Sequence, residues 1–371
     1  MKFGVEEKET KKMIKNMSLP EIIKKIKPLD NEWIAKARER TAQLVMPTRA
    51  LGRLHEISER LCGLLKTLKP RIDRKAVLVM AGDHGVVAEG VSAYPQEVTG
   101  EMVRTFLRGG AGINAISRHV GAEVWVVDMG MIADLKEESE DADSRFLNRK
   151  VAKGTANLAR GPAMSREAAE KSIMTGVQLA ADLFQNGIEI LGTGDMGIGN
   201  TTPSAAIGSV ITGTSLEDMV GRGTGIDDQG LQKKRETVRR GIEVNQPDRR
   251  DGLDVLSKIG GFEIGGIAGC VLAGAYFRRP VVIDGFISTA GALVAHALCP
   301  TATDYLFAGH CSEEPGHRIM LEYLKLEPIL DLGMRLGEGT GGALAMSVIQ
   351  GAVRVFTEVL TFAEAGVSDK E

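Results

Sequence analysis

Five times between residues 75 and 312, a short β-rich run ends in glycine joined to an acid or a small polar residue. The ends read Gly82-Asp83-His84-Gly85, Asp128-Met129-Gly130, Gly192-Thr193-Gly194-Asp195, Asp284-Gly285 and Gly309-His310-Cys311-Ser312. Helical stretches separate the runs. Short strands that alternate with helices signal a parallel sheet with crossover helices. Ligands of such sheets bind beyond the carboxyl ends of the strands. Five ends of this kind on one rim imply a polar pocket with many backbone N–H groups. Each aspartate taken alone is equally a turn former.

The pattern predicts six strands, at 76–80, 123–127, 188–191, 281–283, 305–307 and 329–332. Before them, residues 18–70 read as helices. Ser18 and Glu21 form a capping box with Pro20 in the first turn. Asp30 caps a second helix through Trp33, Ile34 and Ala37. Leu51, Leu54, Ile57, Leu61 and Leu64 recur at helical spacing. From about Thr340 the chain is mostly one long helix and a tail. The division expected is a helical segment at 1–70, an α/β domain at 71–340 and a C-terminal helix at 341–371.

Composition removes several functions. Net charge is −3 and aromatic residues are 4%, so neither a basic face nor a stacking platform points to nucleic acid. The 45 glycines sit in short turns rather than repeats, as ligand loops require. Cys62, Cys270, Cys299 and Cys311 form no CxxC pair and no metal spacing with histidine, so they read as buried reduced thiols. The start, residues 1–15, is rich in lysine and glutamate without an apolar core, and no apolar run approaches ~18 residues. A cytoplasmic protein is expected.

One acid stands out. Glu338 lies between glycines in Leu336-Gly337-Glu338-Gly339-Thr340-Gly341-Gly342, at the mouth of the last helix. A carboxylate there either caps that helix, favoured by its dipole, or is held beside a substrate as a base. Gly192 to Gly197 matches GxGxxG after a strand, but no second strand with an acid ~20 residues on follows, so the dinucleotide reading is weak. His84 beside Asp83 reads as a buried turn residue rather than a zinc ligand. Lys234 follows an aspartate-rich loop on a helix with Lys233 and Arg235; such runs are mostly solvated, though one lysine can turn inward toward phosphate.

Taken in order, residues 81–99 (AGDHGVVAEGVSAYPQEVT), 109–114 (GGAGIN), 192–203 (GTGDMGIGNTTP), 223–230 (GTGIDDQG), 284–291 (DGFISTAG), 309–317 (GHCSEEPGH) and 336–342 (LGEGTGG) carry a specific resemblance. From about residue 47 to 365 the chain resembles the nicotinate-nucleotide–dimethylbenzimidazole phosphoribosyltransferases of cobalamin nucleotide-loop assembly. The resemblance implies a doubly wound, mostly parallel α/β domain and a small helical domain built from N- and C-terminal segments, assembled as a homodimer. It implies transfer of the 5-phosphoribosyl group from nicotinate mononucleotide to a benzimidazole nitrogen, with no cofactor and no metal.

It also assigns roles. Glu338 matches the family's catalytic base, and Asp195 is the second candidate catalytic carboxylate. Ser92, Tyr94 and Gln96 match the loop lining the aromatic-base pocket. Gly194, Gly197, Asn200, Lys234, Gly285 and Ser312 match positions around phosphate and ribose. Two departures stand out. Many members carry Glu where this chain has Asp195, and the family's Pro-x-Gly-Ser-Leu-Gly-Arg-Leu entry becomes Pro47-Thr48-Arg49-Ala50-Leu51-Gly52-Arg53-Leu54. The alternatives are another nucleotide-binding enzyme, such as an NAD-dependent dehydrogenase, and a binding or regulatory relative without catalysis.

Overall fold

The computed structural model describes Ile14, residues 17–135 and residues 145–368. The lysine-rich start lies outside them, Ile14 excepted.

The N-terminal helices begin where the capping chemistry puts them. The Ser18 N–H donates to Glu21 Oε2 at 2.7 Å and opens α1, Leu19–Lys25. Asp30 Oδ1 accepts from the Glu32 N–H at 3.1 Å and opens α2, Asn31–Ala42. In α3, Arg53–Leu65, Ile57, Leu61 and Leu64 are buried as their spacing requires. Leu51 is not part of that stripe. It lies before the helix and is 41% exposed, because positive φ at Arg49 and Gly52 turns the chain there.

The α/β region then runs β1 (Lys75–Gly82), α4 (Val98–Leu107), α5 (Gly112–Val120), β2 (Ala122–Gly130), β3 (Arg145–Asn148), α6 (Arg166–Gln185) and β4 (Ile190–Met196). It continues with α7 (Thr201–Thr212), α8 (Leu216–Met219), α9 (Asp228–Asn245), α10 (Gly252–Ile259), α11 (Phe262–Phe277) and β5 (Val281–Ile283). The last part is α12 (Phe286–Leu298), β6 (Leu306–Ser312), α13 (Pro315–Tyr323), β7 (Pro328–Met334), α14 (Thr340–Glu358) and α15 (Phe362–Ala365). Among the described residues, one sheet, in the order β3-β2-β1-β4-β5-β6-β7, holds every strand, and every strand pairing is parallel. The chain winds outward from β1 in one direction and from β4 in the other. In register, Met80 lies between Val127 and Asp195, so Asp195 sits where strand order reverses. That is where open α/β sheets bind their ligands.

Among the described residues, seven strands replace the six expected. The extra one, β3, is a four-residue edge strand with a single buried side chain, Phe146, too short to register as an alternating pattern. The other difference is informative. Four of the expected strands extend into the glycine-containing ends instead of stopping before them: β1 reaches Gly82, β2 Gly130, β4 Met196 and β6 Ser312. Those residues are held by sheet hydrogen bonds rather than by turns, which fixes the acids they carry. Phe106, Ile190, Ile267 and Phe286 are among the buried side chains of the core around the sheet.

The ends of the chain meet. Ala37, Cys62 and Phe356 share a small buried cluster. The Val45 N–H donates to Leu360 O and the Phe362 N–H to Gln43 O, each at 2.9 Å. Helix α14 belongs to both layers. Its first turn lies against Asp284 and His310, while Phe356 in its last turn packs among α2 and α3. The four cysteines are free and buried. Among the described residues, no helix is long and apolar enough to cross a membrane.

Candidate active site

A cavity of about 440 Å³ opens at the reversal point, above the ends of β4, β5 and β6. Tyr94, Asp195, Gly197, Asn200, Gly285, Ser312 and Glu338 all line it. The rest of the wall is largely apolar, with Met102, Met196, Ile198, Phe286 and Leu336.

Glu338 is 4% exposed and has φ of 63°, flanked by left-handed Gly337 and Gly339. An L-residue there costs roughly 1 kcal/mol, so the site holds this acid against a local preference. Its Oε2 accepts the Ile113 N–H at 3.0 Å, in the first turn of α5. The cap expected on its own helix is supplied by another residue. Asp284 Oδ2 accepts from the Gly339 N–H at 3.1 Å and Oδ1 from the Gly342 N–H at 2.8 Å. Glu338 thus meets the positive end of α5 while still lining the cavity. Burial pushes its carboxyl above the ordinary range and the Asp284 charge adds to this, while the Ile113 N–H opposes it.

Asp195 shares the cavity. Its Oδ2 accepts from Asn200 Nδ2 at 2.9 Å. Burial, helped by the charge of Asp284, pushes its carboxyl up to about 8, with Asn200 opposing. Burial therefore raises the proton affinity of both acids in this cavity. Gly194 stands behind them. A Cβ on Gly194 would lie 2.4 Å from Glu338 O, so only glycine lets β4 approach the turn that carries Glu338.

In the unfolded chain Asp195 would lose its proton near pH ~4. In the fold it keeps that proton to about 8, so this group favours folding at low pH and its contribution is lost as pH rises to about 8. Asp195→Asn should therefore lose less melting temperature than the parent between about pH 5 and pH 8. Equal declines in thermal melts of the two proteins would remove Asp195 as the cause.

Lys234, on α9, stands behind the far wall. Lys234 is 1% exposed, and its Nζ donates to Thr201 Oγ1 at 2.7 Å and to Gly221 O at 3.2 Å. Burial pulls its ammonium down to about 8, against the opposing charge of Glu314. Thr201, Gly223 and Glu314 line the cavity, and Lys234 lies immediately behind them. The Gly223 N–H donates to Glu314 Oε1 at 2.9 Å.

The loop after β1 divides. Tyr94, 53% exposed, stands at the cavity mouth. Ser92 Oγ lies 3.4 Å from Oγ1 of Thr224, a lining residue. Gln96 faces away from this cavity. Its Nε2 donates to His84 O at 3.1 Å, and its side chain lines a separate groove with Glu97 and Arg104. The altered entry loop lies away as well: Arg49 pairs with Glu59 at 3.0 Å and Glu56 at 3.4 Å on α3. His84 is buried with its Nε2 2.8 Å from Glu263 Oε1. Sequence reasoning gave no role to the lining residues Thr224, His310, Glu314 and Arg335. Three lie inside the motifs quoted above, so their signal was present but carried no geometry.

A phosphoribosyltransferase family model matches residues 26–367. Among similar proteins, the nicotinate-nucleotide–dimethylbenzimidazole phosphoribosyltransferase of Geobacter sulfurreducens is 52% identical, over 95% of this chain and 98% of its own. That of Chloroflexus aggregans is 50% identical over 95% of this chain and 99% of its own. A crystal structure of the enzyme of that name from Thermus thermophilus aligns with a TM-score of 0.86 at 47% identity, covering 92% of this chain and 100% of that one.

Proposed function

We propose, from the premise that this chain belongs to the nicotinate-nucleotide–dimethylbenzimidazole phosphoribosyltransferase family, that it moves 5-phosphoribose from nicotinate mononucleotide to a benzimidazole-type base. The products are α-ribazole 5′-phosphate and nicotinate. One ring nitrogen of the base attacks C1′ and forms the new C–N bond. The bond from C1′ to the pyridinium nitrogen breaks, its electron pair returns to that ring, and nicotinate leaves. Attack opposite the leaving group inverts C1′. The attacking base becomes cationic and sheds its other N–H proton to Glu338, whose charge also stabilises the transition state.

The observation that carries this reading is the buried carboxylate of Glu338 on the wall of a largely apolar cavity. Burial raises its proton affinity toward what a base working near neutral pH needs. The apolar wall from Met102, Met196, Ile198, Phe286 and Leu336 suits a flat aromatic acceptor. Gly197, Asn200, Gly285 and Ser312 would receive the phosphoribosyl end, with Lys234 lending charge from behind Thr201. Among the described residues, no strand lies between β4 and β5, so nothing favours the dehydrogenase alternative.

The test is product analysis after incubation with nicotinate mononucleotide and 5,6-dimethylbenzimidazole. Release of nicotinate with matching α-ribazole 5′-phosphate supports the reading. Absence of both products, in a folded protein, refutes it.

A homodimer working in the cytoplasm belongs to the same proposal. Leu332 and Leu336, each 60% exposed, lie on and just beyond the free edge of β7 beside the cavity mouth. A second subunit would cover them. Light scattering should give twice the chain mass at micromolar concentration. A fully active monomer would sink this part.

A further inference from the structure

Gly285 and Ser312 reach the cavity from different strand ends, β5 and β6. One buried hydrogen-bonded chain ties them together. The Ser312 N–H donates to His317 Nδ1 at 2.8 Å. A backbone N–H can only donate, so Nδ1 is the accepting nitrogen and the ring proton sits on Nε2. That Nε2–H then donates to Thr289 Oγ1, 2.9 Å away. The Thr289 hydroxyl in turn donates to Gly285 O at 2.8 Å. Every donor and acceptor direction is fixed by the first bond. Thr289 and His317 are both fully buried. Burial keeps the ring uncharged, its pKa pulled down to about 3. His310 fills the space beside this chain, with ring centres of the two histidines 6.0 Å apart.

We infer that His317, through Thr289, is a positioning residue that sets the spacing of the Gly285 and Ser312 backbones for the phosphoribosyl end of the donor. This rests on the transferase reading above. His317 does not line the cavity and touches no reacting atom. It holds two walls at one separation, whatever base is bound at the other end. Its loss should therefore weaken donor binding and leave the base side of the site unaffected.

The test compares the full-length parent with Thr289→Val, His317→Asn and His317→Phe, measuring kcat and both KM values. Thr289→Val keeps shape but deletes the relay. His317→Phe fills the space and leaves the Ser312 N–H without an acceptor, which is expected to raise KM for nicotinate mononucleotide about tenfold. His317→Asn can still accept from Ser312 and should show a smaller rise. The KM for dimethylbenzimidazole and kcat should change little in all three. An unchanged donor KM in folded Thr289→Val and His317→Phe overturns the inference, as do equal rises for both substrates. If His317→Phe does not fold, Thr289→Val decides. If the parent itself makes no product, the transferase reading fails first and takes this inference with it.

Discussion

Glu338→Gln is expected to lose on the order of 10²–10⁴-fold in kcat, the range associated with a positioned acid–base group. Glutamine keeps the shape, and its amide oxygen still accepts the Ile113 N–H that now bonds Glu338 Oε2. It cannot take a proton from the base, nor offset the positive charge that grows on it. Both substrates should bind nearly as before. Stability should fall by about 1 kcal/mol or less, since the N-terminus of α5 keeps a neutral acceptor. In the parent, kcat should rise with pH along a limb displaced above the ordinary carboxylate range, because burial raises the Glu338 carboxyl and only its ionised form accepts a proton. That limb should vanish in the glutamine variant. A near-parental kcat with a lower melting temperature would reduce Glu338 to a cap of α5, and Asp195 would become the base to test.

Lys234→Met is expected to lower kcat/KM for nicotinate mononucleotide roughly ten- to a hundredfold, the size of a lost charge-assisted contact. Methionine preserves most of the buried volume, so the loss reads charge rather than packing. Its reach is indirect: Nζ bonds Thr201 Oγ1, and Thr201 lines the cavity. The parent offers an internal control. Its ammonium is pulled down to about 8, so the charge fades as pH rises past that point and donor KM should climb there. The methionine variant has no such charge to lose and should show a flat profile. The two proteins should also converge on a donor lacking the phosphate. If the variant loses as much activity relative to the parent with the nucleoside as with the nucleotide, Lys234 does not serve the phosphate.

The sequence by itself determined the helix starts at Ser18 and Asp30 and six of the strands as runs of β-rich residues. These depend on neighbours within a few positions, where hydrogen-bonding reach and hydrophobic period are local properties. The ordered motifs that carry the family resemblance also contain most of the cavity lining. Only the tertiary structure decided the rest. Glu338 bonds Ile113, 225 residues away, while Asp284 takes over the cap on the helix beside Glu338. Gln96 is turned to His84 O although Tyr94, two residues earlier, faces the cavity. His317 bridges two strand ends through a tautomer that a single N–H direction selects. The edge strand β3 exists because β2 offers it hydrogen bonds, not because four residues could form a strand alone. Residue type fixes what a side chain can donate, accept or bury, but which partner it meets depends on packing between distant segments, and that is settled only when the whole sheet is assembled.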